Sequence, residues 1–254
     1  MRVCRIAHAG GKDYASWDGE EFAVVTDPFA GRPRSTGTRV PAAGARLLAP
    51  VEPRTVVGMA HNTGSADRAL PPGAFLKAAR TVVGPGAALR LPDDAGRTVA
   101  EGELALVIGR DTSGVRPSDL LSCVLGLTVA NDVTDRDAQG EDPLWTAAKS
   151  RHTFTPVGPW IETDLDPADL SVTVAVNGTE ASRASTAGLA RDPGEILAYL
   201  AQLMPLGPGD LILTGAPGRD VPLAPGDSVS VRIDGLGELG NPVEAWSPRQ
   251  EAAA

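Results

Sequence analysis

Val99-Ala-Glu-Gly-Glu-Leu-Ala-Leu-Val-Ile-Gly109 is the stretch that sets the fold class. Its residues alternate, which predicts a strand over 99–108. Leu104, Leu106 and Ile108 fall on one face and should point into a core. Glu101 and Glu103 fall on the other face, about 7 Å apart by two residue rises. Working outward, Leu125 to Ala130 reads as a buried strand. Leu170 to Val176 alternates and ends in Asn177-Gly178, a strong hairpin signal. Leu211–Thr214 and Ser228–Ile233 each follow a Pro-Gly-Asp turn, at 208–210 and 225–227. Many short alternating runs between Gly and Pro turns predict an α+β chain that is mainly β.

One clear helix opens at Asp192-Pro193-Gly194-Glu195. Asp192 suits the N-cap, Pro193 the first helical position and Glu195 the third. Ile196, Leu197, Leu200 and Leu203-Met204 give it an apolar face, and Pro205 stops it. Pro117 to Val124 reads as a shorter helix. Residues 1–52 form a small β-containing N-terminal domain, with strands at Val3–Ala7 and Glu21–Val25, a turn at Trp17-Asp18-Gly19 and an irregular Pro28–Pro50. Residues 53–250 form the main domain. It begins with a strand at Thr55–Gly58, followed by a loop over 59–75, long enough to suggest a lid or binding loop. Residues 251–254 should fray.

The chain has 254 residues, with 42% hydrophobic and 22% charged, which excludes a disordered chain. The formal net charge is -9, with no Lys/Arg-rich run, which argues against nucleic acid or an anionic membrane as partner. The longest nearly apolar stretch, 120–130, is too short to span a bilayer. The N-terminus lacks the apolar core of a secretory signal, and Cys4 and Cys123 lack metal-ligand spacing. The expected compartment is the cytoplasm.

Chemistry concentrates in three places. Glu101 and Glu103 share a strand face, which alone reads as a solvated surface. Asp132 follows the buried run at 125–130, where a carboxylate needs a partner. Three carboxylates without nearby Cys or His make an all-oxygen donor set, which suits Mg²⁺ or Mn²⁺ better than Zn²⁺ or copper. The polar run 131–139 adds Arg136 and Gln139. Lys149 either balances the carboxylates or binds a substrate carboxylate or developing oxyanion. Lys77 and Arg80, near the 59–75 loop, either read a distal acid group on a substrate or, as the favoured account, are surface charges.

The series Glu-Gly-Glu-Leu-Ala-Leu-Val-Ile-Gly (101–109), Ala-Asn-Asp-Val-Thr-Asp-Arg-Asp-Ala-Gln (130–139), Trp-Thr-Ala-Ala-Lys-Ser (145–150) and Thr-Pro-Val-Gly-Pro-Trp (155–160) resembles the fumarylacetoacetate hydrolase superfamily. Val-Asn-Gly (176–178), Pro-Gly-Asp-Leu-Ile-Leu-Thr-Gly-Ala-Pro (208–217) and Gly-Leu-Gly-Glu-Leu-Gly-Asn-Pro-Val (235–243) extend it over about residues 56–246. The resemblance implies a mixed β-sandwich roll with a small N-terminal domain, and a homodimer. It implies Mg²⁺ or Mn²⁺ held by Glu101, Glu103 and Asp132, Lys149 as a catalytic residue, and substrate contacts from Arg136, Gln139, Thr186, Thr214 and Gly215. The implied substrate is a small 2-oxo or β-dicarbonyl acid, processed through a metal-stabilised enolate by C–C hydrolysis, decarboxylation or isomerisation.

The sequence departs from that pattern at the lid. Where hydrolytic members carry Asn-Tyr and a His–Glu pair, this chain reads Gly58-Met-Ala-His-Asn-Thr-Gly-Ser-Ala-Asp67. Either His61 and Asp67 form a displaced catalytic dyad, with His61 as base, or the lid has lost water activation and serves a lyase, decarboxylase or isomerase. The alternative function is an impaired homologue that binds metal and ligand without turnover.

Overall fold

The computed structural model describes residues 1–247; the expectation for 251–254 lies outside the described residues. Strands β1 (Arg2–His8), β2 (Gly11–Trp17), β3 (Glu21–Val25) and β4 (Ser35–Pro41) form an antiparallel meander. The short β5 (Ala45–Leu47) pairs with the outer half of β1. Two features differ from expectation. The turn at Trp17-Asp18-Gly19 joins β3 to β2, a strand the apolar pattern did not reveal. Residues 28–50, expected to be irregular, contain β4 and β5. The reason is physical: β4 exposes every residue but Val40, so pairing with β3 defines it and a buried face does not.

The main body supplies β6 (Val56–Ala60), β7 (Gly73–Lys77), β8 (Val82–Val83), β9 (Leu89–Pro92), β10 (Thr98–Ala100), β11 (Gly102–Ile108), β12 (Val124–Asn131) and β13 (Thr134–Asp135). Two short helices, α1 (Arg136–Glu141) and α2 (Thr146–Lys149), precede β14 (Thr155–Glu162). Then come β15 (Ser171–Val176), β16 (Thr179–Ser185), α3 (Pro193–Leu203), β17 (Leu211–Leu213), β18 (Val221–Pro222), β19 (Ser228–Ile233) and β20 (Gly237–Trp246). The segment 117–123, expected helical, is a 3₁₀ helix.

One large sheet runs β4-β3-β2-β1-β14-β12-β11-β17-β6-β7. A second runs β16-β15-β19-β20-β9, and β13-β10-β18 form a small third. Parallel pairs β6–β17, β8–β14 and β9–β20 make the fold a mixed β-sandwich roll. Between the two larger sheets lie Leu104, Leu106 and Ile108 of β11, Val172 and Val174 of β15, and Val229, Val231 and Ile233 of β19. Ile196, Leu197 and Leu200 of α3 join the same core. Gly102 belongs on this inner face: a Cβ there would lie 2.7 Å from Val174 Cγ2, so only glycine lets the sheets meet.

The other face of β11 is also covered. Ala105 and Val107 pack with Val56, Ala130, Val157, Leu211 and Leu213. Glu101 and Glu103 therefore lie on a buried face, not a solvated one. The expected strand 99–108 also breaks at Glu101, where the chain leaves the small sheet of β10 for the large sheet of β11. Asn131 stabilises the break, its Oδ1 accepting from the Glu101 amide at 3.1 Å.

Helix α3 carries the full capping box: Asp192 Oδ1 accepts from Glu195 N at 2.9 Å, and Glu195 Oε2 accepts from Asp192 N at 3.1 Å. Asp192→Ala should lower stability by about 1 kcal/mol. An unchanged urea midpoint would show that the cap contributes nothing. The two Pro-Gly-Asp turns are structural: Asp210 accepts from Thr55 N and Gly207 N, and Asp227 from Ala224 N. Among the described residues no helix is long and apolar enough to cross a membrane.

Candidate active site

The ends of β6, β7, β11 and β12, with α1, α2 and the loop after β17, surround a cavity of about 300 Å³. Glu101, Glu103, Asp132, Arg136, Gln139 and Lys149 line it, as do His61 and Asp67 from the loop between β6 and β7. The six residues from Glu101 to Lys149 that the sequence grouped thus share one cavity with His61 and Asp67, whose part in the site the sequence left open.

Asp132 is 1% exposed and lies between two ammoniums. Lys77 Nζ donates to its Oδ1 at 2.5 Å, and Lys149 Nζ donates to its Oδ2. Burial opposes ionisation of Asp132, but Lys149 and Lys77 together outweigh it and hold the carboxyl below the usual range. Lys149 also donates to Glu101 Oε2 at 3.0 Å. Burial disfavours its charge too, yet Asp132 and Glu101 keep its pKa raised. Lys77 is buried more deeply. Desolvation dominates there, and the neighbouring Lys149 adds repulsion, so its pKa is lowered.

Glu101 also accepts from Thr134 Oγ1 at 2.7 Å and from Arg136 at 2.7 Å. Arg136 and Gln139 lie one helical turn apart on α1, and the guanidinium donates to Gln139 Oε1 at 2.6 Å and Asp220 Oδ2 at 3.0 Å. Glu103 differs. Its hydrogen-bond donor is the Gly215 amide at 2.7 Å, and burial with Asp132 and Glu101 nearby pushes its carboxyl well above the usual range.

One wall is aromatic. The Phe75 ring lies 4.6 Å from Lys149 Nζ and meets Trp145 edge-on at 5.4 Å. Gly58 makes room for that ring, since a Cβ there would lie 2.2 Å from Phe75.

The remaining residues fall less neatly. Thr214 turns away, donating its hydroxyl to Leu104 O at 2.9 Å. Thr186 lies against a neighbouring cavity of about 240 Å³ that it shares with Thr214 and Ile196. Its hydroxyl donates to Pro167 O and accepts from Leu170 N, so the structure does not bring it to the carboxylates. His61 and Asp67 line the site but are not hydrogen-bonded to each other. His61 Nδ1 lies 3.1 Å from Pro71 O, and Asp67 accepts from the Thr63 amide and hydroxyl. The displaced dyad is therefore not formed: Asp67 closes a local turn, which lowers its pKa through the Thr63 amide. Lys77, expected on the surface, is 3% exposed and touches Asp132.

The donor set fits a hard divalent cation. All three carboxylates offer only oxygen, and crowding leaves Glu103 short of positive partners. They are not assembled as a ligand sphere. Among the described residues no group of three His, Cys, Asp or Glu side chains is placed to hold an ion.

The model of the fumarylacetoacetate (FAA) hydrolase C-terminal domain matches residues 50–244, and that of an Rv2993c-like N-terminal domain matches residues 1–50. Protein Rv2993c of Mycobacterium tuberculosis is 42% identical over 96% of this chain and 98% of its own length. The crystal structure of 5-carboxymethyl-2-hydroxymuconate delta-isomerase from Mycobacterium smegmatis superposes with a TM-score of 0.91 at 40% identity, covering 97% of this chain and all of that one. Maleylpyruvate hydrolase from Sphingobium sp. SYK-6, solved with manganese(II) and pyruvate, superposes with a TM-score of 0.80 at 28% identity, covering 96% and 99% of the two chains. The acidic cavity thus lies in a fold shared with an isomerase and a maleylpyruvate hydrolase, and the chain is an enzyme of the fumarylacetoacetate hydrolase family.

Proposed function

We propose that Glu101, Glu103 and Asp132 hold a divalent metal, Mg²⁺ or Mn²⁺, and that the enzyme isomerises a small 2-oxo or β-dicarbonyl acid. The observation that carries this reading is Lys149, whose buried ammonium bridges Glu101 and Asp132 while lining the cavity. When bound, the ion supplies Lewis-acid polarisation to a chelating pair of substrate oxygens.

The protein's own residues do the rest. Lys149 stays charged and stabilises negative charge as it develops on a substrate oxygen. Phe75 and Trp145 keep water from that ammonium, which strengthens the effect. His61 is the group that can take a proton from the carbon beside the carbonyl, sending the C–H electron pair to oxygen, and return it elsewhere on the same skeleton. Isomerisation needs no activated water. That agrees with Asp67 bonding to Thr63 instead of orienting His61. The similarity to the M. smegmatis isomerase supports the same choice. Hydrolysis or decarboxylation would draw on the same stabilised enolate. A screen of unsaturated 2-oxo diacids, oxaloacetate and acylpyruvates decides between them: the reading predicts metal-dependent isomerisation, and C–C cleavage as the faster reaction overturns it.

Glu103 offers a test that needs no substrate. Its raised folded-state pKa means the metal-free native state binds more protons than the unfolded chain above pH 4.5, the ordinary value. Stability of the metal-free protein should therefore fall as pH rises from 4.5 through the folded pKa. Glu103→Gln should flatten that slope and raise the melting temperature at pH 7, and Mn²⁺ should stabilise wild type but not the variant. Equal stabilisation of both by Mn²⁺ would remove Glu103 from the ligand set.

A further inference from the structure

The loop between β6 and β7 carries His61 and Asp67 to the cavity, and most of its side chains are exposed. A loop of this kind normally moves on fast timescales unless something fixes it. Here one buried side chain reaches both ends. Arg191 is 8% exposed, and its guanidinium donates to His61 O at 2.7 Å and to Leu70 O. Its backbone grips the loop as well: Arg191 N donates to Asn62 Oδ1 at 2.6 Å, and Asn62 Nδ2 donates to Arg191 O at 3.2 Å. Asn62, fully buried, also donates to Thr214 O at 2.7 Å. It packs so closely on Gly215 that a Cβ there would lie 2.2 Å from Asn62 O. Gly215 in turn donates to Glu103.

The consequence falls on His61. Its backbone sits in the left-handed region at φ 56°, an uncommon conformation for a residue with a Cβ, and Arg191 holds its carbonyl there. Its ring nitrogen Nδ1 lies 3.1 Å from the carbonyl of Pro71, next to the Leu70 carbonyl that Arg191 also holds. A carbonyl only accepts, so Nδ1 carries the hydrogen. In the neutral ring Nε2 is then the lone-pair nitrogen, on a side chain that lines the cavity.

We infer that Arg191 is a positioning residue that straps the 61–70 loop to the segment before α3, and so fixes His61 in the tautomer a base requires. A rigid guanidinium fork can tie two carbonyls at once. A lysine ammonium on a flexible stem cannot reproduce that geometry. The kinetic part of this inference rests on the function proposed above; the tautomer and the loop anchoring do not.

The test uses ¹⁵N-histidine-labelled full-length protein as wild type, Arg191→Lys and Arg191→Ala. The chain has three histidines, and loss of a signal in His61→Gln assigns the one required. Wild type should show the Nδ1–H tautomer at His61. Both Arg191 variants should show a tautomer mixture, and amide exchange over 62–70 should speed up at least tenfold. With the isomerised substrate, kcat should fall by about 10²-fold from misplacement of the base, while KM changes little. If Arg191→Ala does not fold, Arg191→Lys decides, provided it melts cooperatively. An unchanged tautomer with unchanged exchange in the folded variants overturns the strap. Altered tautomer and exchange with wild-type kcat supports the strap and overturns the assignment of His61 as base.

Discussion

Asp132→Ala should lose at least about three orders of magnitude in metal-dependent turnover, and about 3–5 kcal/mol of stability. Both effects follow from one geometry. The carboxylate is 1% exposed, and each of its oxygens meets an ammonium. Deleting it leaves Lys149 hydrogen-bonded to Glu101, but leaves Lys77 with the Val133 carbonyl at 3.1 Å as its hydrogen-bond partner and no carboxylate in contact, Glu101 acting on it without a hydrogen bond. A buried ammonium without a counter-ion is among the costliest groups to keep, so Lys77 would have to give up its proton or the site would open. The double variant Lys77→Met, Asp132→Ala should therefore recover part of the stability lost by Asp132→Ala alone, because both members of the buried pair are gone. It should recover none of the turnover. Urea unfolding separates the two effects, and Asp132→Asn, which conserves shape, shows whether charge or volume carries them. Turnover that persists in Asp132→Ala with a chelator present would refute the metal assignment outright.

The contrast between Asp132 and Lys77 shows where the sequence is readable. Alternation along 101–108 assigns the two glutamates to one face because the period of a strand is local. The buried run 125–130 likewise announces Asp132 just beyond its end. Helix α3 is legible because its capping box and apolar stripe lie within twelve residues. Lys77 gives no such signal. It shares a strand face with Phe75, but β7 has only five residues, and which face meets the carboxylates depends on the order β11-β17-β6-β7. Arg191 is more remote still, because its partners lie 130 and 121 residues away. Thr186 shows the converse limit: a family motif fixes its place in the chain but not the direction of its hydroxyl, which the Pro167 carbonyl claims. The buried second face of β11 was hidden for a related reason, since a strand that looks half-polar can be covered by elements far away in sequence.

Lys149→Met and Lys77→Met should both damage the enzyme, and in different parameters. Lys149 lines the cavity and retains its charge, so it is placed to face a developing oxyanion. Its loss should lower kcat by about 10²–10³-fold at saturating metal, the range seen when one preorganised donor is removed. Lys77 has no exposed side chain and acts through Asp132. Its ammonium keeps that carboxyl ionised and oriented, ready to ligate without first losing a proton. Without it, burial would raise the Asp132 pKa, and Mn²⁺ would have to compete with a proton. Removing a supporting partner of this kind typically weakens metal affinity by about 10–100-fold. Lys77→Met should therefore bind Mn²⁺ more weakly, most of all at low pH, and approach wild-type kcat once metal is saturating. Titration calorimetry for Mn²⁺ and steady-state kinetics at fixed free metal measure the two parameters. If Lys149→Met loses only metal affinity while Lys77→Met loses only kcat, the roles are reversed, and the substrate must approach Asp132 from the side where β7 now covers it.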